Sequence, residues 1–523
     1  MIVSNTSNPS GKATRRISNA AIRRQWKRLK QKNQRLEFQF ALERNCVQQL
    51  EQRLADSNAQ LELAQAELAQ TILNHETAPQ PFGNERPLPG HQFCVSLIVM
   101  AIALGKRVGF RAAADVLRIM FDSLKIQLAV PSHDAIEQWS LRLGVANLQQ
   151  SFTREDRVLW MVDHSTQIDQ DKLLVIIGIR LADLPPPGET LSLEKMKVLA
   201  VVPGQSWKQA DVLREYQQLA AHIGAPVYVL CDGAVELREP AEMLQKDGKN
   251  TVVLGDLKHV AANLLEKQIG RGERFASFMS QVGLTRSRVQ QTELSHLSPP
   301  SLRQKSRFMN LGPLLQWAEM TLHHLNDLQS ESRYGVTQER LDEKFGWLRE
   351  YAADIAEWSR CQQVIDRTLH VINHEGLTSD TENLLTNKLE IFLLGEQAML
   401  TPSKNLAEQL VAFVGNSAAK LHAGERAWLS TEILESLFGR FKQMERQHSK
   451  GGFTRLIAAI PILCGDVTCE SVRAGFQRVS SKDVTAWIAQ RLGCTRNAKR
   501  NHAYREFRHC QRAKKRNPNA PTA

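Results

Sequence analysis

Three apolar, valine-rich runs in this sequence each stop on an aspartate: Val158-Leu159-Trp160-Met161-Val162-Asp163, Val227-Tyr228-Val229-Leu230-Cys231-Asp232 and Val252-Val253-Leu254-Gly255-Asp256. Short runs of this composition, bounded by turn signals, read as buried strands. Each carboxylate is therefore expected at a strand end, held on a rigid scaffold and facing solvent. At the ends of neighbouring strands, Asp163 and Asp232 can share a divalent cation, because hard ions such as Mg²⁺ take oxygen ligands. Asp256 opens Asp256-Leu257-Lys258-His259, which sets a histidine three residues behind it. Far downstream, the segment from Thr431 to Lys442 reads as an amphipathic helix in which Glu435 precedes Lys442 by seven residues. Two turns apart, those side chains share a face.

The elements that must position these groups follow from periodicity. Val158–Val162, Lys172–Leu181 and Lys197–Val202 are strand-like; a polar turn over His164–Asp171 joins the first two, and a loop with Pro185-Pro186-Pro187-Gly188 precedes the third. A helical segment from Trp207 to His222 follows, then strands Pro226–Leu230 and Thr251–Leu254 with a helix, Pro240–Gln245, between them. Three strands without helices and then strand-helix-strand alternation predict a mixed sheet, a meander extended by parallel strands. From Val260 to about Leu429 the pattern is almost wholly helical, with long stretches at Leu314–Leu328, Glu339–Asn373, Glu382–Leu400 and Leu406–Leu421. Trp317, Trp347, Trp358 and Trp428 lie there, as core residues or as platforms on which a flipped base stacks.

Ahead of the sheet, residues 1–14 are Ser/Asn/Gly-rich and expected to be disordered, and residues 15–75 to form a coiled coil. Steps of four and three from Ile22 through Trp26, Leu29, Asn33, Leu36 and Phe40 to Leu68 trace a mostly apolar seam, with Asn33 as a register-setting position. The alternative is one long helix lying on its own protein. Its first half is basic, from Arg15 to Arg35, which suits either a DNA-facing arm or a solvated face. Residues 76–91 hold four prolines and two glycines and read as a linker. Three short helices at about 92–104, Arg111–Leu124 and His133–Leu143 then fit a helix-turn-helix-like DNA-binding domain over 92–150. At the other end, Arg496, Lys499, Arg500, Arg505, Arg508, Arg512, Lys514, Lys515 and Arg516 form the densest basic patch. It suits sequence-independent phosphate contacts, or else a solubilising tail.

The whole-chain totals agree with a polyanionic partner. The 523 residues carry 67 Lys+Arg against 55 Asp+Glu, a net charge of +12, which favours nucleic acid. Eight cysteines without a C-x-x-C pair are expected to be reduced thiols of a cytoplasmic protein. The longest apolar segment, Phe93 to Leu104, is too short to span a bilayer, so no membrane association is expected. The first apolar run stops at Ser4, which does not read as a signal peptide.

Taken together, Asp163, Asp232 and Glu435 resemble the D-D-E triad of RNase H-like transposases of bacterial insertion sequences. Asp256-x-x-His259 is similar to the signature that follows the second aspartate in Mutator- and hAT-related members, and the long helical stretch before Glu435 looks like their all-helical insertion. The seven-residue step from Glu435 to Lys442 resembles the E-(6)-K half of the insertion-sequence signature, whose upstream Tyr and Arg are replaced here by Trp428 and Thr431. The resemblance spans about 92–465 and implies a multidomain α + α/β protein. Its RNase H-like mixed-sheet core would occupy 155–260 and 431–465, interrupted by a helical insertion domain over 261–430 and followed by a basic region over 466–523. It also implies a nucleoid-associated bacterial enzyme that cleaves and joins DNA at the ends of a mobile element, as a homodimer or higher oligomer. Two Mg²⁺ ions, replaceable by Mn²⁺, would be held by Asp163, Asp232 and Glu435, with Glu432 the rival for the third carboxylate. Lys442 would contact a backbone phosphate, and Asp256 with His259 would stand behind the ligands or meet the scissile phosphate. The alternatives are a coiled-coil-dimerised DNA-binding regulator without catalysis, and a structure-specific nuclease on the same fold.

Overall fold

A computed structural model describes residues 82, 85–150, 152–168, 171–204, 206–246, 250–301, 308–326, 337–393, 402–446, 454–492 and 500–509, with scattered positions between 52 and 65. The disordered segment expected over 1–14, and nearly all of the coiled coil expected over 15–75, lie outside these residues. Those described between 52 and 65 are helical, with Leu54 and Leu61 exposed. Among the described residues no helix is long and apolar enough to cross a membrane.

Three helices open the larger unit, which runs from Glu85 onward: α1 (Val95–Val108), α2 (Phe110–Ser123) and α3 (His133–Gln149). A single residue, Gly109 at φ 85°, separates α1 from α2, a conformation that glycine adopts at little cost. Ser132 starts α3 by accepting a hydrogen bond from the Ala135 N–H at 3.2 Å. The helices match the expected ones, but α3 is not a recognition helix. Only Asp134 and Gln149 within it are exposed, and its remaining faces pack against α1, α2 and a 3₁₀ segment, Arg455–Leu463. Contact is so close at Gly144 that a Cβ there would lie 1.9 Å from the Ala458 carbonyl oxygen. A helix enclosed in this way has no broad polar face to offer a groove.

The sheet has five strands: β1 (Val158–Ile168), β2 (Asp171–Arg180), β3 (Lys197–Gly204), β4 (Tyr228–Cys231) and β5 (Val252–Gly255), in the order β3-β2-β1-β4-β5. β1 pairs antiparallel with β2 and β2 with β3, while β4 lies parallel to both β1 and β5. This is the meander extended by parallel strands. Helices α4 (Gln209–Ile223) and α5 (Val235–Lys246) make the two crossovers and cover one face. There Trp160, Val162, Leu174, Ile176, Val229 and Cys231 pack against Val212, Tyr216, Ala220, Leu237, Ala241 and Leu244. Alternation along a strand sends Leu159, Met161 and Asp163 to the opposite face. Two boundaries differ from expectation. β1 runs well past Val162, and α5 begins before Pro240, which sits inside the helix at the loss of one backbone bond.

The rest is helical: α6 (Leu257–Leu265), α7 (Glu273–Val289), α8 (Gly312–Asn326), α9 (Gln338–Phe345), α10 (Ala352–Glu375), α11 (Thr381–Leu393), α12 (Pro402–Ala418), α13 (Glu432–Arg446), α14 (Cys469–Arg478) and α15 (Ser481–Leu492). The helical stretch expected over Glu339–Asn373 is interrupted at Gly346 by a 3₁₀ turn, Gly346–Tyr351. Trp317, Trp358 and Trp428 are buried, and Trp347 is half-buried with its indole N–H donating to Thr285 Oγ1 at 2.9 Å. Trp358 packs edge-on against Phe275 and Phe278. Trp317, Trp358 and Trp428 are core, which removes those three as base-stacking platforms. Taken whole, the described protein is mostly helical with one mixed five-stranded sheet.

Candidate active site

Register alone brings the aspartates together. Val162 of β1 lies beside Cys231 of β4, and Cys231 beside Gly255 of β5. The next residue in each strand direction is Asp163, Asp232 and Asp256, so three carboxylates start from one row across three neighbouring strands, spaced about 4.8 Å apart. Asp163 is not at the end of its strand as expected. β1 continues to Ile168 against β2, and it is β4 that stops, leaving Asp163 on a strand whose parallel neighbour has run out.

Each aspartate then meets a different fate. Asp163 is half-buried, and its carboxyl is pushed up to about 7, first by burial and then by the charge of Asp232. It accepts a 2.6 Å hydrogen bond from the His164 N–H. Asp232 is likewise pushed up, chiefly by burial, and accepts the Ala234 N–H at 3.0 Å, which starts α5. Asp256 is 1% exposed, and its oxygens are committed. Oδ2 caps α6 by accepting the His259 N–H at 3.2 Å and also meets His259 Nδ1, while Oδ1 accepts the Thr431 N–H at 3.0 Å. The Leu257 N–H donates to the Leu429 carbonyl at 2.8 Å, so the end of β5 is bonded twice to the segment that leads into α13. Asp256 is thus a positioning residue, and it sets where α13 starts.

That placement delivers the glutamates. Glu432 and Glu435 stand in the first turn of α13, whose apolar face, Leu434, Leu437, Phe438, Phe441 and Met444, is buried. Both reach Lys258 Nζ, Glu432 Oε1 at 3.1 Å and Glu435 Oε2 at 2.9 Å. Glu432 Oε2 also accepts from Asn373 Nδ2 at 2.6 Å. Burial acts to lower the Lys258 ammonium, but the Glu435 hydrogen bond and both glutamate charges outweigh it and hold it above its usual value. On the adjacent residue, the Asp256 hydrogen bond raises His259, with help from the charges of Asp256, Asp232 and Asp163. The first turn of α6 therefore sets the His259 ring toward the aspartates and the Lys258 ammonium toward the glutamates. Periodicity passed over Lys258: nothing in a strand-helix boundary pattern marks it, and the only available signal was its place inside Asp256-x-x-His259.

Asp163 and Asp232 fit one hard divalent cation: two oxygen donors on adjacent strands, both burdened by burial, with His259 nearby. Among the described residues, no group of three or more His, Cys, Asp or Glu side chains is gathered to hold a metal; Asp256 bonds to Thr431 and His259, and Glu435 to Lys258. Lys442 lies two turns along α13, half-buried, with its charge acting on Glu445. Of the C-terminal basic residues, Arg500, Arg505 and Arg508 lie on an exposed helical segment, 500–509. Arg496, Lys499, Arg512, Lys514, Lys515 and Arg516 lie outside the described residues. The cysteines described, Cys94, Cys231, Cys361, Cys464 and Cys469, are free thiols.

No protein-family model matches the chain. No curated protein matches it at a significant level. Among solved structures, the Drosophila P element transposase strand transfer complex aligns over 78% of this chain and 97% of its own, with 12% identity and a TM-score of 0.36. A likeness that distant carries neither fold nor function across.

Proposed function

We propose that this chain is an RNase H-like DDE transposase that cuts and joins DNA strands at the ends of a mobile element. The observation that carries this reading is the pairing of Asp163 with Asp232 on adjacent parallel strands, with Glu435 held by Lys258 beside Asp256, the third acid of the row. Asp163 and Asp232 would hold a Mg²⁺ or Mn²⁺ ion, with Glu435 completing the ligands for the two-ion form. Such an ion, when bound, supplies Lewis-acid activation of water or a 3′-OH and neutralises charge at the scissile phosphate. The chain's own groups do the rest. The His164 and Ala234 N–H groups fix the two aspartates, Asp256 fixes α13, and His259 stands on the aspartate side, where its ring can face a phosphate. The exposed arginines of 500–509 add contacts to the DNA backbone, and the net charge of +12 favours that partner. Self-association through the amino-terminal helix would pair two element ends.

The test is purified protein with Mg²⁺ and a supercoiled plasmid carrying the gene and its flanks, followed by mapping of DNA ends. Cleavage and joining at the flanks, lost in Asp163→Ala, Asp232→Ala and Glu435→Ala, is the expected outcome. Cleavage without joining would identify a nuclease instead. Specific binding that is indifferent to metal and to all three substitutions would leave a regulator.

A further inference from the structure

The least expected contact at the site is the lysine between the two glutamates. Glu432 and Glu435 are three residues apart at the start of one helix and repel each other unless a cation intervenes. Lys258 is that cation: its side chain is 17% exposed, and its ammonium lies within 3.1 Å of one carboxylate and 2.9 Å of the other. The two glutamates are not equally held. Glu432 has a second anchor in Asn373, whereas among the described residues Lys258 is the only hydrogen-bond or ion-pair partner of Glu435. Loss of that one contact frees Glu435 and leaves Glu432 in place. The holding group is also of the kind that lets go, since an ammonium on a flexible four-carbon stem is a point charge with no fixed fork.

Building on the transposase reading, we propose that Lys258 is a built-in counter-cation. It latches Glu435 while no divalent ion is present and surrenders that carboxylate to an ion held by Asp163 and Asp232. This assigns Lys258 as a positioning residue and makes Glu435, not Glu432, the mobile third ligand. The adjacent His259 is tied to Asp256, so of this turn only the lysine lets go of its carboxylate.

The experiment is titration of the full-length protein with Mn²⁺ at pH 8, read by electron paramagnetic resonance and by the shift in Tm. Variants are Lys258→Met, Lys258→Arg, Asp163→Asn, and Lys258→Met combined with Glu435→Gln, each checked for folding by circular dichroism. Lys258→Met should bind Mn²⁺ about tenfold more tightly than the wild type, because a competing charge is gone and a carboxylate is free, whereas Lys258→Arg should stay within about twofold. In the Glu435→Gln background the Lys258→Met gain should shrink to about twofold at most. Unchanged or weaker binding in Lys258→Met overturns the latch, as does a gain that persists in full without Glu435, since the lysine would then act only as a distant charge. Wild-type binding that Asp163→Asn leaves intact, or no binding at all, overturns the site reading and the latch with it.

Discussion

Asp163 is where stability and function pull apart. Its carboxyl stands at about 7 against an ordinary 3.8, a cost on the order of 4 kcal/mol for keeping it ionised in the metal-free fold. A folded value raised above the unfolded one contributes stability at low pH that is lost as pH rises from about 4 through 7. Asp163→Asn removes a charge the fold resists, so in EDTA it should raise Tm clearly at pH 8 and much less at pH 5. The same variant should show no metal-dependent cleavage. A variant that is less stable than wild type at pH 8 would mean that the carboxylate is not burdened as its surroundings require. For the wild type, Mn²⁺ should raise Tm more at pH 8 than at pH 6, where Asp163 must first release its proton. Calorimetry across this range gives both answers.

Among elements, the joint between β5, α6 and α13 matters most, and Asp256 is its centre. Three donors converge on that side chain, the Thr431 N–H, the His259 N–H and the His259 ring. Asp256→Ala strands them in a buried place and should cost about 3–5 kcal/mol in urea denaturation. Asp256→Asn, which keeps one carbonyl acceptor, should cost less. Close packing governs the other joint. Gly144→Ala would drive a methyl group into the Ala458 carbonyl and should cost about 3 kcal/mol or more, measured the same way. The sequence announced the strands and their terminal acids because period-two runs and abrupt polar stops are local signals. It could not announce that β1 outruns β4, since strand length is decided by which partner continues. Nor could it show that α3 is enclosed. Its apolar and polar residues are not segregated to opposite faces, and what covers it, chiefly the 3₁₀ segment at 455–463, is far away in sequence. Lys258 was invisible for the same reason, with its partners some 174 and 177 residues away.

For the whole molecule, on the proposed transposase reading, the question is how a chain of net charge +12 would divide DNA contacts between site and surface. Arg500, Arg505 and Arg508 sit on an exposed helical segment, and none of the salt bridges among the described residues engages them. Their charge is therefore available to phosphates, where each contact releases counterions and steepens the dependence of affinity on salt by about 0.9 in log–log slope. Replacing all three by alanine should lower that slope by roughly two to three, measured by fluorescence anisotropy on duplexes of unrelated sequence between about 50 and 200 mM salt. The loss should be uniform across sequences, because phosphate contacts carry no base information. Tm and Mn²⁺ affinity should not move, since this segment is not among the elements that place Asp163, Asp232 or Glu435. A slope that stays at the wild-type value would assign the segment to solubility alone and shift the DNA-facing surface to other basic groups. A change in Mn²⁺ affinity would mean instead that the carboxyl-terminal charge reaches the acidic site.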